Sequence, residues 1–150
     1  MAKINLSKDF KEFIGLLNLH KVKFIIVGGY AVGFHGYIRA TGDIDIWIDP
    51  TVDNAQNLLK ALSDFGFGTL SGISIDDFIK DNSVVQLGYP PFRIDLMTSV
   101  SGVTFDQCYS KKENTMIDEI KVPFIDLESL KINKASTNRK KDLGDLENLP

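Results

Sequence analysis

The fold of this chain is decided by one stretch, IVGGYAVGFHGYIRATGDIDIWID, at residues 26–49. It begins at the end of an apolar run, KFIIV at residues 23–27, which is typical of a buried strand. Gly28 and Gly29 then permit a sharp turn and a close backbone approach, and residues 30–35 predict a short helix. A strand, two glycines and a helix in this order can cradle phosphate oxygens on backbone N–H groups, but a tight turn without a ligand has the same pattern.

The end of this stretch, DIDIWID at residues 43–49, alternates strictly and predicts a half-buried strand. Such a strand turns Asp43 and Asp45 to the same face, with Cα atoms about 6.5–7 Å apart. Two carboxylates so close raise each other's pKa unless a cation lies between them, and a divalent metal is the natural occupant. Because the chain contains 15 Asp against 5 Glu, a D-x-D pair is expected by chance and needs support from its context.

A third acid comes later, in RIDLM at residues 93–97, which predicts another strand. Alternation there places Arg93, Asp95 and Met97 on one face. A carboxylate in the middle of an apolar strand is costly unless it is paired or bound to a metal. Asp95 is therefore either an ion-pair partner of Arg93 or a further acid of a cation site.

The residues between the glycines and the acids offer further candidates. Arg39 and Thr41 lie on the loop before the D-x-D pair, and their guanidinium and hydroxyl suit phosphate or sugar contacts, the guanidinium through bidentate geometry. A solvated loop explains them equally well. His35 is expected to pack in the core. Trp47, on the acidic face of its strand, either lines a pocket beside the acids or covers a helix-free face of the sheet.

Length and composition predict a single cored domain at residues 1–150, with 43% hydrophobic and 25% charged residues. The one cysteine, Cys108, cannot form an internal disulfide, and no apolar run approaches the roughly 20 residues of a membrane span. Charges interrupt the apolar N-terminal stretch, unlike a signal peptide. These features predict a cytoplasmic protein without membrane contact. A net charge of −3 and a pI near 5.3 argue against a protein that mainly wraps nucleic acid, while local basic patches stay open.

Around the deciding stretch, the chain predicts a mixed α/β (α+β) arrangement, a small sheet with helices on one or both faces. Helices are expected at residues 7–19, at 51–65 beginning at Thr51 or Asp53, at 76–80, at 126–135, and in a last segment with Leu143, Leu146 and Leu149. Strands are expected at 84–89 and 92–97, joined by a Pro90-Pro91 turn that favours a protected edge, and a strand or kinked pair at 116–125, broken at Pro123. Residues 105–111 predict a less regular segment.

Taken together, the motifs resemble a known superfamily. The chain contains I-V-G-G-Y-A, then T-G-D-I-D-I-W-I-D, and later R-I-D-L, and this set resembles the nucleotidyltransferases of the DNA polymerase β-type fold. Residues 28–49 are most similar to small bacterial nucleotidyltransferases of the abortive-infection (AbiEii-type) toxin class. LESLKINKASTNRKKDLGDLENL, at residues 127–149, resembles the closing helices of the same proteins. The resemblance spans residues 24–149 and implies a nucleotidyltransferase-like fold, a small mixed sheet with flanking helices.

The resemblance also implies an activity, the transfer of a nucleoside monophosphate from a nucleoside triphosphate such as ATP to an acceptor hydroxyl. Two Mg²⁺ ions would be held by Asp43, Asp45 and Asp95, with Asp95 as general base or as ligand of the catalytic metal. Gly28 and Gly29 would bind the triphosphate through their backbone. Lys134 would neutralise phosphate with Asp142 as a supporting acid, although a basic helix C-terminus explains Lys134 as well.

The resemblance leaves the acceptor open among tRNA, a protein side chain and a small molecule. Toxin relatives imply an antitoxin partner protein. Residues 131–141, which are rich in Lys and Arg, are the best candidate for a short basic groove. The alternative function is a catalytically inactive module that binds nucleotide or metal and acts through a partner protein.

Overall fold

The structure is a computed structural model, which describes residues 4–67 and 72–150. Six strands form one mixed sheet in the order β3-β4-β2-β1-β6-β5. The strands are β1 Phe24–Val27, β2 Ile44–Ile48, β3 Val84–Leu87, β4 Ile94–Met97, β5 Glu113–Ile117 and β6 Ile120–Phe124. β2 pairs parallel to β4 and β1 pairs parallel to β6, whereas the β1·β2, β3·β4 and β5·β6 pairs are antiparallel. The expected fold class, a mixed sheet with flanking helices, is confirmed.

Helices lie between and after the strands. They are α1 Lys8–Leu19, α2 Gly28–Phe34, α3 Val52–Leu62, α4 Phe105–Lys111, α5 Leu127–Ser136 and α6 Lys140–Asn148, with a π turn at Ser63–Phe67 and a 3-10 turn at Ile75–Phe78. Three predicted helix starts are confirmed by their caps, because the side chains of Ser7, Thr51 and Asp126 each accept a hydrogen bond from the backbone N–H three residues ahead. In the described ranges, no helix is both long and apolar enough to cross a membrane.

The core is centred on β1, all four residues of which are buried. β1 lies between β2 and β6, so it has no edge, and its continuous apolar run is what a strand covered on both faces requires. α1 packs an apolar stripe of Phe10, Phe13, Ile14 and Leu17 into this core. This packing stabilises the centre of the sheet. The pairing of β2 with both β1 and β4 then sets the positions of these three strands relative to one another.

The segment at residues 105–111, predicted to be irregular, is instead helix α4. Its Phe105 ring stacks on Tyr109 and meets Trp47 edge-on at 5.3 Å between centroids. Trp47 is only 1% exposed, so it neither lines the cleft beside the acids nor covers an open face. A seven-residue helix is too short to show a clear period in sequence, and its start is set by this tertiary packing rather than by a capping side chain.

Two strand predictions also need correction. Residues 113–124 form a hairpin that turns at Asp118 and Glu119, both with positive φ, and Pro123 lies inside β6 rather than at the break. Asp-Glu is not a usual pair for such a turn, and this is why the sequence pattern missed it. The Pro90-Pro91 turn does join two strands, but only β3 is an edge, because β4 pairs with both β3 and β2.

Candidate active site

The register of the sheet brings the three predicted acids together. Asp43 directly precedes β2, and Asp45 within β2 is the cross-strand neighbour of Asp95 in β4. On the other side of β2, Asp45 is opposite Val27, the last residue before the glycine pair. All eight predicted site residues line one cleft of about 480 Å³: Gly28, Gly29, Arg39, Thr41, Asp43, Asp45, Asp95 and Lys134.

Arg93 pairs with two of the acids. Its Nε donates to Asp95 Oδ1 at 2.8 Å and its Nη2 donates to Asp95 Oδ2 at 3.1 Å. The same Nη2 donates to Asp43 Oδ2 at 2.6 Å. Of the two alternatives for Asp95, the ion pair with Arg93 is therefore present. It is a charge-assisted, forked arrangement, which is among the stronger kinds of hydrogen bonding in proteins.

Asp45 is left without such a partner. No hydrogen-bond donor in the described residues reaches its carboxylate. Its pKa is raised from 3.8 to about 6, first by burial and then by the charges of Asp95 and Asp43. The positive charges of Lys134 and Lys141 act in the opposite direction but do not cancel this shift. The acids thus keep an excess of negative charge at Asp45.

The acids suit a hard divalent cation by chemistry, because carboxylate oxygens are the ligands that Mg²⁺ prefers and Asp45 lacks a counter-charge. They do not form a ready-made cage: within residues 4–67 and 72–150, no group of three or more Asp, Glu, His or Cys is arranged to enclose a metal ion. The obstacle is Arg93, whose guanidinium already joins Asp43 to Asp95. The carboxylate oxygens therefore suit Mg²⁺ by their chemistry. Asp45 is available to such an ion, while Asp43 and Asp95 are paired with Arg93.

Only glycine fits at positions 28 and 29, because polar side chains of the cleft lie directly against the backbone there. Gly28 has φ +67°, and a Cβ at this position would overlap Asp45 Oδ2. A Cβ on Gly29 would lie 2.7 Å from Thr41 Oγ1 and 3.4 Å from Arg39 Nη1. Glycine alone permits both the backbone conformation and the approach of the turn to the acid. The pair forms the first turn of α2 rather than a loop before it.

Gly28→Ala is expected to lower both stability and any transfer activity. The change adds the cost of a left-handed alanine, about 1–2 kcal/mol, and forces the Asp45 carboxylate to move. Displacement of that carboxylate by about 1 Å is expected to cost on the order of 10²-fold in transfer rate. Gly88→Ala is the matched control, because Gly88 has φ +80° but its Cβ would make only an ordinary 3.5 Å contact. Urea unfolding that shows equal losses for the two variants would contradict the close approach.

Arg39 and Lys134 lie in the cleft but are joined to acids of α6. Arg39 donates from Nε and Nη2 to the two carboxylate oxygens of Asp145, at 2.7 and 2.8 Å. Lys134 Nζ contacts Asp142 at 2.8 Å and Asp145 at 3.1 Å. The Lys134 side chain is only 5% exposed, so this is a buried network that ties the loop before β2 to α5 and α6. Sequence reasoning missed Asp145, although its i,i+3 spacing from Asp142 places both acids on one helical face.

The pKa of Asp142 shows how strongly this network stabilises an ionised carboxylate. Burial by itself would raise its pKa, but hydrogen bonds from Lys134, Thr137 and Arg139 outweigh burial and lower the pKa to about 2. Lys141, next in sequence, also lines the cleft but is exposed and makes no ion pair with a described carboxylate. The cleft therefore has acids at its base and one uncommitted cation at its rim.

His35 lies in the core, as expected. It is 7% exposed, and its Nε2 is 2.6 Å from the carbonyl oxygen of Ile125. The neighbouring Phe34 ring stacks on Phe124 at 4.2 Å. Both contacts join the end of α2 to the end of β6, so His35 holds the helix that begins with the glycine pair and does not line the cleft.

Two comparisons with other proteins show what the chain is similar to. A crystal structure of a "putative nucleotidyltransferase" from Thermotoga maritima has a similar fold, with a TM-score of 0.57 at 16% identity over 92% of this chain and 84% of that one. A search of curated proteins finds no significant match. The model of a family described as "Nucleotidyltransferase of unknown function (DUF6036)" matches residues 4–149. The chain therefore belongs to this nucleotidyltransferase family.

Proposed function

We propose that the chain, acting as one domain at residues 1–150, is a Mg²⁺-dependent enzyme that transfers a nucleoside monophosphate from a nucleoside triphosphate to an acceptor hydroxyl. The observation that carries the proposal is the convergence of Asp43, Asp45 and Asp95 beside the Gly28 turn in one cleft. In the reaction the acceptor oxygen forms a bond to the α-phosphorus, the bond from that phosphorus to the β-phosphate oxygen breaks, and pyrophosphate leaves. The hydroxyl proton passes to a base.

Each residue has a proposed part. Asp43, Asp45 and Asp95 would hold two Mg²⁺ ions, which supply charge neutralisation at the phosphates and a more acidic acceptor hydroxyl. Asp95, which is buried beside Asp45, is proposed as the general base or as a ligand of the catalytic metal. The backbone of Gly28 and Gly29 would contact the triphosphate.

Lys134 and Arg39 each keep N–H donors that their ion pairs do not use and that a phosphate group could accept from. Lys134 uses its ammonium group on two carboxylates, which leaves one of its three N–H donors. Arg39 uses Nε and Nη2 on Asp145, while its Nη1 lies beside Gly29 and makes only a long hydrogen bond, 3.5 Å, to the Ala40 carbonyl oxygen. We therefore propose that both side chains meet phosphate with their remaining donors, together with the Thr41 hydroxyl beside Gly29.

The acceptor and the setting are proposed from the family resemblance alone. A tRNA, a protein side chain or a small molecule would supply the hydroxyl, and residues 131–141 are the best candidate for a basic groove. Relation to AbiEii-type toxins, with an antitoxin partner, a cytoplasmic location and no membrane contact, is part of the same proposal. Growth arrest on expression of the chain alone would favour a toxin over a housekeeping enzyme.

Calorimetry with each of the four nucleoside triphosphates, with and without Mg²⁺, tests the proposal. We expect Mg²⁺-dependent binding of at least one triphosphate, and its loss in the Asp43→Ala plus Asp45→Ala double variant. Glu128→Ala plus Glu147→Ala removes the same charge from exposed positions outside the cleft and is expected to leave binding unchanged. The bound triphosphate then becomes the donor in a screen of acceptors.

A second candidate function is an inactive module that binds nucleotide or metal and acts through a partner protein. The pairing of Arg93 with Asp43 and Asp95 favours it, because these two acids already share a cationic partner without a metal. A folded protein that binds no triphosphate under any of the conditions above would refute the transferase and favour an inactive module that acts through a metal or a partner protein.

A further inference from the structure

Arg93 occupies a position inside the acid cluster. It directly precedes β4, two residues before Asp95, and its side chain lies on the same side of the sheet as that of Asp95. One guanidinium bridges Asp43, directly before β2, to Asp95 in the neighbouring β4, at 2.6–3.1 Å. The side chains of Asp95, Arg93 and Asp43 are 10%, 25% and 37% exposed, so the bridge opens to solvent on the Asp43 side.

A divalent ion and this guanidinium need the same oxygens. Both carboxylate oxygens of Asp95 and one of Asp43 accept hydrogen bonds from Arg93. Mg²⁺ binds oxygen at about 2.0–2.1 Å and requires near-octahedral geometry, which a cationic N–H group between two ligands would disturb. The like charges of the ion and the guanidinium also repel each other at this distance. Asp45, which has no donor from the described chain, is the acid that a metal can reach without competition.

We propose that Arg93 is an internal counter-cation that competes with a divalent metal ion for Asp43 and Asp95. This inference rests on the proposed metal-dependent function and adds a residue that sets its metal affinity. Without metal, Arg93 offsets the repulsion between carboxylates and holds β2 and β4 together at the cleft. When a metal binds, the guanidinium releases part of this bridge, so the net affinity is weaker than that of the acids alone.

Mn²⁺ binding, measured by calorimetry and by electron paramagnetic resonance of the free ion, tests the inference without any turnover. Arg93→Gln is expected to bind Mn²⁺ at least about tenfold tighter than the wild type, because no charge-assisted fork has to be broken. Arg93→Lys keeps the charge but not the fork and is expected to fall between them. Arg139→Gln removes one positive charge from the same cleft without touching the three acids, and is expected to stay within about twofold of the wild type.

The outcomes separate this inference from the function on which it rests. Equal Mn²⁺ affinity in the wild type and in Arg93→Gln would overturn the competition while leaving the metal site intact. Weaker binding in a folded Arg93→Gln, confirmed in Arg93→Lys, would also overturn it, because Arg93 would then position the acids for the metal. An absence of Mn²⁺ binding in every variant would overturn both the inference and the Mg²⁺-dependent function.

Discussion

Asp45→Asn is expected to abolish nucleotidyl transfer and at the same time to stabilise the protein in the absence of metal. Transfer should fall by at least about 10³-fold, a loss of about 4 kcal/mol of transition-state stabilisation, because the amide cannot replace a metal-binding carboxylate. Stability should rise because the carboxylate is buried beside Asp95 and Asp43 with no donor from the described residues. A group that destabilises the fold is expected where function requires it.

The direction of the pH dependence follows from the raised pKa of Asp45. Its pKa is about 6 in the folded protein against an ordinary 3.8, so below about pH 4 both states hold the proton and the carboxylate costs nothing. Between about pH 4 and pH 6 the unfolded chain ionises first, and stability falls as the pH rises. Above pH 6 the cost is constant, at most about 3 kcal/mol.

Urea unfolding of the wild type and Asp45→Asn, from pH 4 to pH 8 with chelator, measures this cost as the difference between two curves. The free energy of unfolding of Asp45→Asn should exceed that of the wild type by little at pH 4 and by most at pH 8. Asp43→Asn is the matched control, because Asp43 is bound by Arg93 and its loss should inactivate the enzyme without stabilising the fold. A lower stability of Asp45→Asn than of the wild type at pH 8, or retained transfer in this variant, would refute the expectation.

Local patterns in the sequence were enough to predict the strands and the turn of the cleft. The apolar run before Gly28 identified the central strand, and the alternation after Gly42 identified β2 together with the face of Asp43 and Asp45. These patterns work because burial on one or both faces of a sheet directly controls which residues a strand can have. The predicted acids meet in one cleft because β2, so identified, pairs with β4.

Contacts between distant residues were beyond such patterns. The sequence placed Arg93 beside Asp95 but could not show that its guanidinium also reaches Asp43, fifty residues earlier in the chain. Arg39 and Asp145 are 106 residues apart, and neither has a local signal for the other. Helix α4 was missed because its packing on Trp47, rather than its own periodicity, defines it. Pairings of this kind depend on the order of strands in the sheet, which the sequence leaves open.

Lys134→Met is expected to cause the largest loss of stability, about 3 kcal/mol. The side chain is buried between Asp142 and Asp145, and removal of one member from a buried ion network leaves uncompensated charge. The loss should lie at the lower end of the range for broken buried ion pairs. Asp142 keeps its hydrogen bonds from Arg139 and Thr137, and Asp145 keeps its hydrogen bonds from Arg39. Lys131→Met, one turn earlier on α5 and without an ion-pair partner in the described chain, should change stability by less than about 0.5 kcal/mol.

Acid unfolding distinguishes a charge effect from a packing effect at Lys134. The lowered pKa of Asp142 means that its contribution is complete above about pH 4 and is lost as the pH falls toward 2. Lys134→Met should remove part of this acid sensitivity, so its stability difference from the wild type should shrink between pH 5 and pH 2. The double variant with Asp142→Asn should recover part of the loss at pH 7, because one stranded charge is gone. A deficit that is independent of pH and unchanged in the double variant would mean that Lys134 stabilises the fold by its aliphatic packing alone.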